Sequence, residues 1–234
     1  MSQPPTTVVH TAEARTHGRY VVRAPSTVAS ESAPILVGFH GYGENAEHHL
    51  DELSRVPGAT AWLIVSVQAL HRFYARKTGT VVGCWMTSQD REQMITDNLR
   101  YVDSVVEAVT GHSGAARPLI YSGFSQGVAM AYRAATRGSR RASGVIALAG
   151  DVPPELCDDT RLTWPGVLIG RGREDTSYTS AHMGHDLAFL ATTGCHTESV
   201  VFEGGHHWHD EFRQAAGRML ETARLRGPHE VSSS

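Results

Sequence analysis

Gly123-Phe124-Ser125-Gln126-Gly127 is the stretch whose reading decides the fold. The apolar run Pro118-Leu119-Ile120-Tyr121 leads into it and Val128-Ala129-Met130-Ala131-Tyr132 follows, an order that reads strand, tight turn, helix. A serine set between two glycines at such a turn is a nucleophile elbow. The turn holds the serine backbone in a strained conformation, and a glycine on each side lets strand and helix approach without a Cβ clash. The hydroxyl is thereby pushed out above a sheet, beside the positive end of a helix. The bare five-residue pattern also occurs in flexible turns, so the strand before it and the helix after it favour the chemical reading.

Outward from the elbow, strand and helix signals alternate. Short, β-branched runs predict strands at Arg19 to Arg23, Ile35 to Phe39, Trp62 to Val67, Leu119 to Ser122, Val145 to Leu148, Val167 to Ile169 and Ser199 to Phe202. Most lack polar alternation, as strands covered on both faces do. Helical spacing predicts helices over Glu44 to Arg55, Asp90 to Val109, Gln126 to Arg137, Ser177 to Thr192 and His209 to Arg224. Such alternation predicts an α/β fold, a mostly parallel central sheet with helices on both faces. We read residues 1–234 as one domain with frayed ends, about 1–8 and 226–234. The segment Gln68 to Ser88 is long for a loop and carries Phe73, Tyr74, Trp85 and Met86, which marks it as a functional candidate.

The formal net charge is −3, and the arginines are scattered, so neither a nucleic-acid surface nor a polybasic membrane anchor is indicated. No apolar run reaches the roughly 20 residues that span a bilayer. Cys84, Cys157 and Cys195 are odd in number and widely spaced, which argues against a disulfide framework or a zinc site. Free thiols, and an N-terminus without a basic start and apolar run, lead us to expect a cytoplasmic protein.

A serine hydroxyl needs a neighbouring histidine to take its proton and a carboxylate to fix that histidine's tautomer. At an elbow of this kind the partners follow in the order serine, acid, histidine, each after a strand. Asp175, after Val167 to Ile169, is the favoured acid; Asp151, after Val145 to Leu148, is its rival. For the base, Gly204-Gly205-His206-His207-Trp208-His209 follows the last strand, with His206 preferred and His207 as alternative. Three histidines in four residues invite a metal reading, but no matching carboxylate motif accompanies them. His48 and His49, on an expected helix, read as surface residues. In Phe39-His40-Gly41-Tyr42-Gly43 a strand ends in glycines that free backbone N–H groups to face a developing negative charge. The expected donors are the N–H groups of Tyr42 and Gln126. No Gly-Lys-Ser/Thr follows, so the turn is not a P-loop.

Phe39-His40-Gly41-Tyr42-Gly43, Gly123-Phe124-Ser125-Gln126-Gly127, Gly172-Arg173-Glu174-Asp175 and Gly204-Gly205-His206 together resemble the phospholipase/carboxylesterase family of α/β hydrolases, roughly from Tyr20 to Leu225. The resemblance implies an α/β-hydrolase domain with little or no cap. It also implies Ser125 as nucleophile, Asp175 as acid, His206 as base, and Tyr42 and Gln126 as oxyanion donors. Family members cleave carboxylic esters or thioesters without metal or organic cofactor. Two positions depart from the family pattern. Cys84-Trp85-Met86-Thr87-Ser88 stands where a Trp-Phe-Asp-like segment is common. Val128 stands where a further glycine is common, which would set its helix slightly farther from its neighbour.

The leading expectation is a carboxylesterase for short- to medium-chain acyl esters, acting on small molecules as a monomer or homodimer. A thioesterase or lysophospholipase would use the same residues. An acyltransferase, or a binding protein on a hydrolase scaffold, lies further off. Trp85, Phe73 and Tyr74 are the expected pocket wall; the alternative is an aromatic cluster that pins the long loop.

Overall fold

The computed structural model describes residues 7–111 and 117–226. The elements run β1 (Arg19–Arg23), β2 (Ile35–Phe39), α1 (Ala46–Ser54), β3 (Leu63–Gln68), β4 (His71–Tyr74), β5 (Val81–Cys84), α2 (Arg91–Thr110) and β6 (Leu119–Phe124). They continue with α3 (Gln126–Arg137), β7 (Gly144–Leu148), α4 (Pro154–Cys157), β8 (Gly166–Gly172), α5 (Ser180–Thr192), β9 (Thr197–Phe202) and α6 (Asp210–Arg226). Seven strands form one sheet in the order β1-β3-β2-β6-β7-β8-β9, with β1 antiparallel to β3 and every other pair parallel. β2, β3, β6 and β7 are buried at every position, which is why their sequences are continuous apolar runs.

The strand order reverses at β2. From β2 the chain crosses through α1 to β3 on one side, whereas β6 crosses through α3 to β7 on the other. Right-handed crossovers in opposite directions put α1 and α3 on opposite faces of the sheet. α6 shares the face of α1, where Arg213 pairs with Glu52 and Gly217 lies close to Pro57. α2 packs on α3. A crevice is therefore expected outside the C-terminal ends of β2 and β6, where such sheets bind their ligands.

Every strand and helix expected from the sequence is present; β1, β2 and α3 have the expected bounds and the others have shifted ends. α1 begins later because the Asn45 side chain caps it, accepting from His48 N–H at 2.9 Å. α5 begins at Ser180 because the N–H groups of Ser177 and Tyr178 are bound to Asp175 instead of entering the helix. The long segment between β3 and α2 is no simple loop: β4 and β5 form an antiparallel hairpin. β4 is exposed at every position, so it carries no hydrophobic alternation by which to read it.

One reading is corrected: His49 is fully buried, its ring 5.9 Å from that of Trp208, while His48 faces solvent. The expected frayed ends fall outside the described residues except for Thr7, Val8 and Arg226, and Arg226 closes α6.

Candidate active site

Ser125 follows β6 directly and has φ 52° and ψ −122°, a conformation that costs an L-residue about 1–3 kcal/mol. Close packing enforces it. A Cβ on Gly127 would lie 2.0 Å from the Phe39 carbonyl oxygen, and one on Gly123 would lie 2.4 Å from that of Gly127. The elbow is thus wedged against the end of β2. Val128 is fully buried, and its side chain fills the space that Gly150 leaves by lacking a Cβ.

Three loops converge on the serine. The hydroxyl of Ser125 lies 2.8 Å from His206 Nε2, and His206 Nδ1 lies 2.8 Å from Asp175 Oδ2. The Asp175 side chain is wholly buried, and its Oδ1 accepts from Ser177 N–H at 2.8 Å and Tyr178 N–H at 2.9 Å. A carboxylate so engaged can only accept, so His206 carries its proton on Nδ1 and leaves Nε2 free to accept from Ser125. The acid loop is held from beneath by the buried Arg171, which donates to the carbonyls of Tyr178 and Arg173, each at 2.9 Å. The histidine loop packs on the same strand end: Arg173 N–H donates to Phe202 and Glu174 N–H to Gly204. The His206 ring rests on Phe124, centroids 5.0 Å apart, and its side chain stays 29% exposed toward the cleft.

The rivals stand elsewhere. Asp151 borders the same cleft but is exposed, lies 3.7 Å from His182 and makes no hydrogen bond with His206, whose Nδ1 is taken by Asp175. His207 packs on Phe202, and His209 stacks on the same ring while its Nδ1 accepts from Glu211 N–H at the start of α6. Among the described residues no group of three or more His, Cys, Asp or Glu side chains is arranged to hold a metal ion.

The turn after β2 is built around His40. This ring is fully buried; Nδ1 lies 2.7 Å from the Gly41 carbonyl, and Nε2 lies 3.1 Å from Ala69 N. Because Nε2 accepts from the Ala69 N–H, Nδ1 is the donor to Gly41. Burial lowers the His40 pKa to about 4. Glu44 accepts from Gly41 N–H at 2.8 Å, and β5 pairs with the turn through Gly43 N–H to Gly83 and Gly83 N–H to Glu44. Among the described residues the N–H groups of Tyr42 and Gln126 have no acceptor.

Of the three aromatics, Trp85 is fully buried, and its indole N–H donates to the His40 carbonyl at 2.8 Å. Its backbone is pinned by the side chains of Gln126, which accepts from Trp85 N–H, and Asn98, which donates to the Trp85 carbonyl. Phe73 packs on the Tyr42 ring, centroids 5.7 Å apart, and Tyr74 is largely exposed. A cleft of about 280 Å³ opens at Ser125 and His206. Trp85, Met86, Arg91, Arg133 and Tyr178 are among the residues around it; Phe73 and Tyr74 are not. Arginines 91, 133 and 171 and the side-chain amide of Gln126 went unread in the sequence, where nothing local distinguishes them from other polar positions.

A mostly parallel sheet with this strand reversal, and a strained serine after β6, the strand beside the reversal, defines the α/β-hydrolase fold. The family model for Phospholipase/Carboxylesterase matches residues 21–222, and the chain belongs to that family of carboxylesterase- and thioesterase-type hydrolases. Esterase PE8 is similar in structure, with a TM-score of 0.70 at 19% identity, over 89% of this chain and 100% of that one. The Bacillus cereus carboxylesterase superposes with a TM-score of 0.68 at 16% identity, over 88% of this chain and 94% of that one. The Zea mays acyl-protein thioesterase 2 does so with a TM-score of 0.67 at 18% identity, over 89% and 100%. No curated protein sequence matches significantly. No helix among the described residues is long and apolar enough to cross a membrane.

Proposed function

We propose that this chain is a single-domain serine carboxylesterase that cleaves short- to medium-chain acyl esters through an acyl-enzyme on Ser125. The observation that carries this reading is the unbroken chain of contacts from Ser125 through His206 to Asp175, 2.8 Å at each link. His206 Nε2 takes the hydroxyl proton as Ser125 Oγ attacks the acyl carbonyl. Asp175 stabilises the imidazolium without taking its proton. The oxyanion is received by the N–H groups of Tyr42 and Gln126, each worth about 3 kcal/mol of transition-state stabilisation. His206 then protonates the leaving alcohol, and water releases the acyl group by the reverse sequence. No metal or organic cofactor is needed. The cleft, about 280 Å³, supports compact substrates over long acyl chains. Three free cysteines support a reducing, cytoplasmic setting.

The test is a panel of esters with one leaving group and graded acyl length, run beside fluorophosphonate labelling of the folded protein. Labelling at Ser125 with turnover of the shorter esters is expected. Absence of both would end the reading. Matched esters and thioesters of one acyl chain then rank esterase against thioesterase.

A further inference from the structure

The cleft beside Ser125 is flanked by guanidinium groups. Arg133 shares a face of α3 with Gln126 and Ala129, at helical positions i, i+3 and i+7, and all three border the cleft. Its side chain is 1% exposed. Nε donates to Glu155 Oε1 at 2.7 Å, but Nη1 is buried with no acceptor among the described residues. Arg91, at the start of α2, donates Nη2 to the other Glu155 oxygen at 3.0 Å and is 38% exposed. Arg137 donates to the Glu155 backbone carbonyl. One carboxylate therefore answers two guanidinium groups, with a third cation beside them. Two other carboxylates lie nearby: Asp151 also borders the cleft, exposed and 3.7 Å from His182, and Asp186 Oδ2 accepts from the Tyr178 hydroxyl and Val152 N–H, so two cleft guanidinium groups stand against one free cleft carboxylate.

Buried donors without an acceptor are costly, and an apolar chain laid over them would leave them so. A carboxylate removes the cost and matches the guanidinium geometry. The reach is suitable. Arg133 stands eight residues beyond Ser125, about 12 Å along a helix at 1.5 Å per residue. Helical side chains lean toward the N-terminus, which brings the guanidinium back toward the serine.

We propose that the substrate is an anionic ester whose carboxylate, several bonds from the scissile carbonyl, docks on Arg133 and Arg91. The proposal rests on Ser125 being the nucleophile of an ester hydrolase. It adds the chemical class of what that serine cleaves.

The experiment compares aryl half-esters of succinic, glutaric and adipic acids with methyl-capped esters of equal length. A second series carries the carboxylate on the alcohol arm instead. In one series kcat/KM for the charged ester should exceed that for its neutral partner by roughly tenfold or more. Arg91→Gln should erode that ratio, as should Arg133→Gln where it folds. Calorimetry on Ser125→Ala should detect binding of the preferred charged ester and none of its neutral partner. Neutral esters turned over with no preference for charge in either series would overturn this proposal alone. If Ser125 neither labels nor turns over any ester, the hydrolase reading falls. Absence of charged-ester binding to Ser125→Ala overturns the proposal in either case.

Discussion

His40 donates its Nδ1–H to the carbonyl of Gly41 at 2.7 Å, and the peptide unit that carries this carbonyl also carries the N–H of Tyr42. In a trans peptide the C=O and N–H point opposite ways, so a ring that holds one aims the other. Burial keeps the imidazole neutral, and its other nitrogen is fixed by Ala69 N–H. His40→Leu should therefore lower kcat by about 10- to 100-fold with a much smaller change in KM, the pattern of a weakened oxyanion donor. Steady-state kinetics, normalised to folded protein, check this. A change confined to KM would refute it.

Ser125→Ala should abolish hydrolysis and fluorophosphonate labelling while moving Tm little, since only a hydroxyl at the cleft is lost. Turnover that persists in this variant would rule out the serine mechanism.

Asp175→Asn should reduce kcat by about 10⁴, because an amide cannot hold His206 in the tautomer that accepts from Ser125. Asp151→Asn should cost far less. Rates for the two variants on one neutral ester decide between these carboxylates, and the reverse order would refute the assignment.

Gly127→Ala drives a methyl into the Phe39 carbonyl oxygen and should destabilise by about 3 kcal/mol or more, or prevent folding. Gly184→Ala, in α5 with open space around its Cβ position, should stabilise by about 0.5–1 kcal/mol. Thermal melts of the two variants should shift in opposite directions.

Acid stability follows from three buried groups. Burial lowers His40 to about 4 and His49 to about 3, whereas it raises Asp186 to about 6. The unfolded chain binds protons at both histidines from about pH 6.5 downward while the folded chain does not, so stability falls with pH by about 1.4 kcal/mol per unit for each. Asp186 acts oppositely: between about pH 6 and 4 the folded state binds its proton first, returning about as much as one histidine costs. A net decline below pH 6 is expected. Asp186→Asn, which removes the offset, should raise stability at neutral pH and steepen the acid-side fall. Denaturant titrations across pH 4 to 7 measure both, and parallel profiles would count against it.

The elbow was legible because the strand–turn–helix pattern that marks it is contiguous in the sequence. A Cβ on Gly123 or Gly127 would strike backbone, and the apolar runs of β2, β3, β6 and β7 follow from burial on both faces. Asp175 and His206 were legible from chain order, since each follows a parallel strand. What escaped depends on distant neighbours. The exposed β4 has no pattern to read, and the short α1 gave no sign that His49 rather than His48 would turn inward. Trp85 reads as pocket wall and does border the cleft, but what holds it there, an indole bond to a carbonyl 45 residues away at the end of β2, had no local sign. Arg133 looks like any polar helix residue until Glu155 and the cleft are placed beside it.

The Gly127 contact with Phe39 joins the serine-bearing turn to the turn of Tyr42 as one rigid joint. The residues around the far part of the cleft come from elsewhere, from the segments 85–91 and 150–154 and from one face of α3. Reaction and selectivity are thus only partly separable: residues 151–154 could be exchanged to redirect selectivity, whereas Trp85 and Met86, hydrogen-bonded to His40 and Gln126, tie segment 85–91 to the reacting turn.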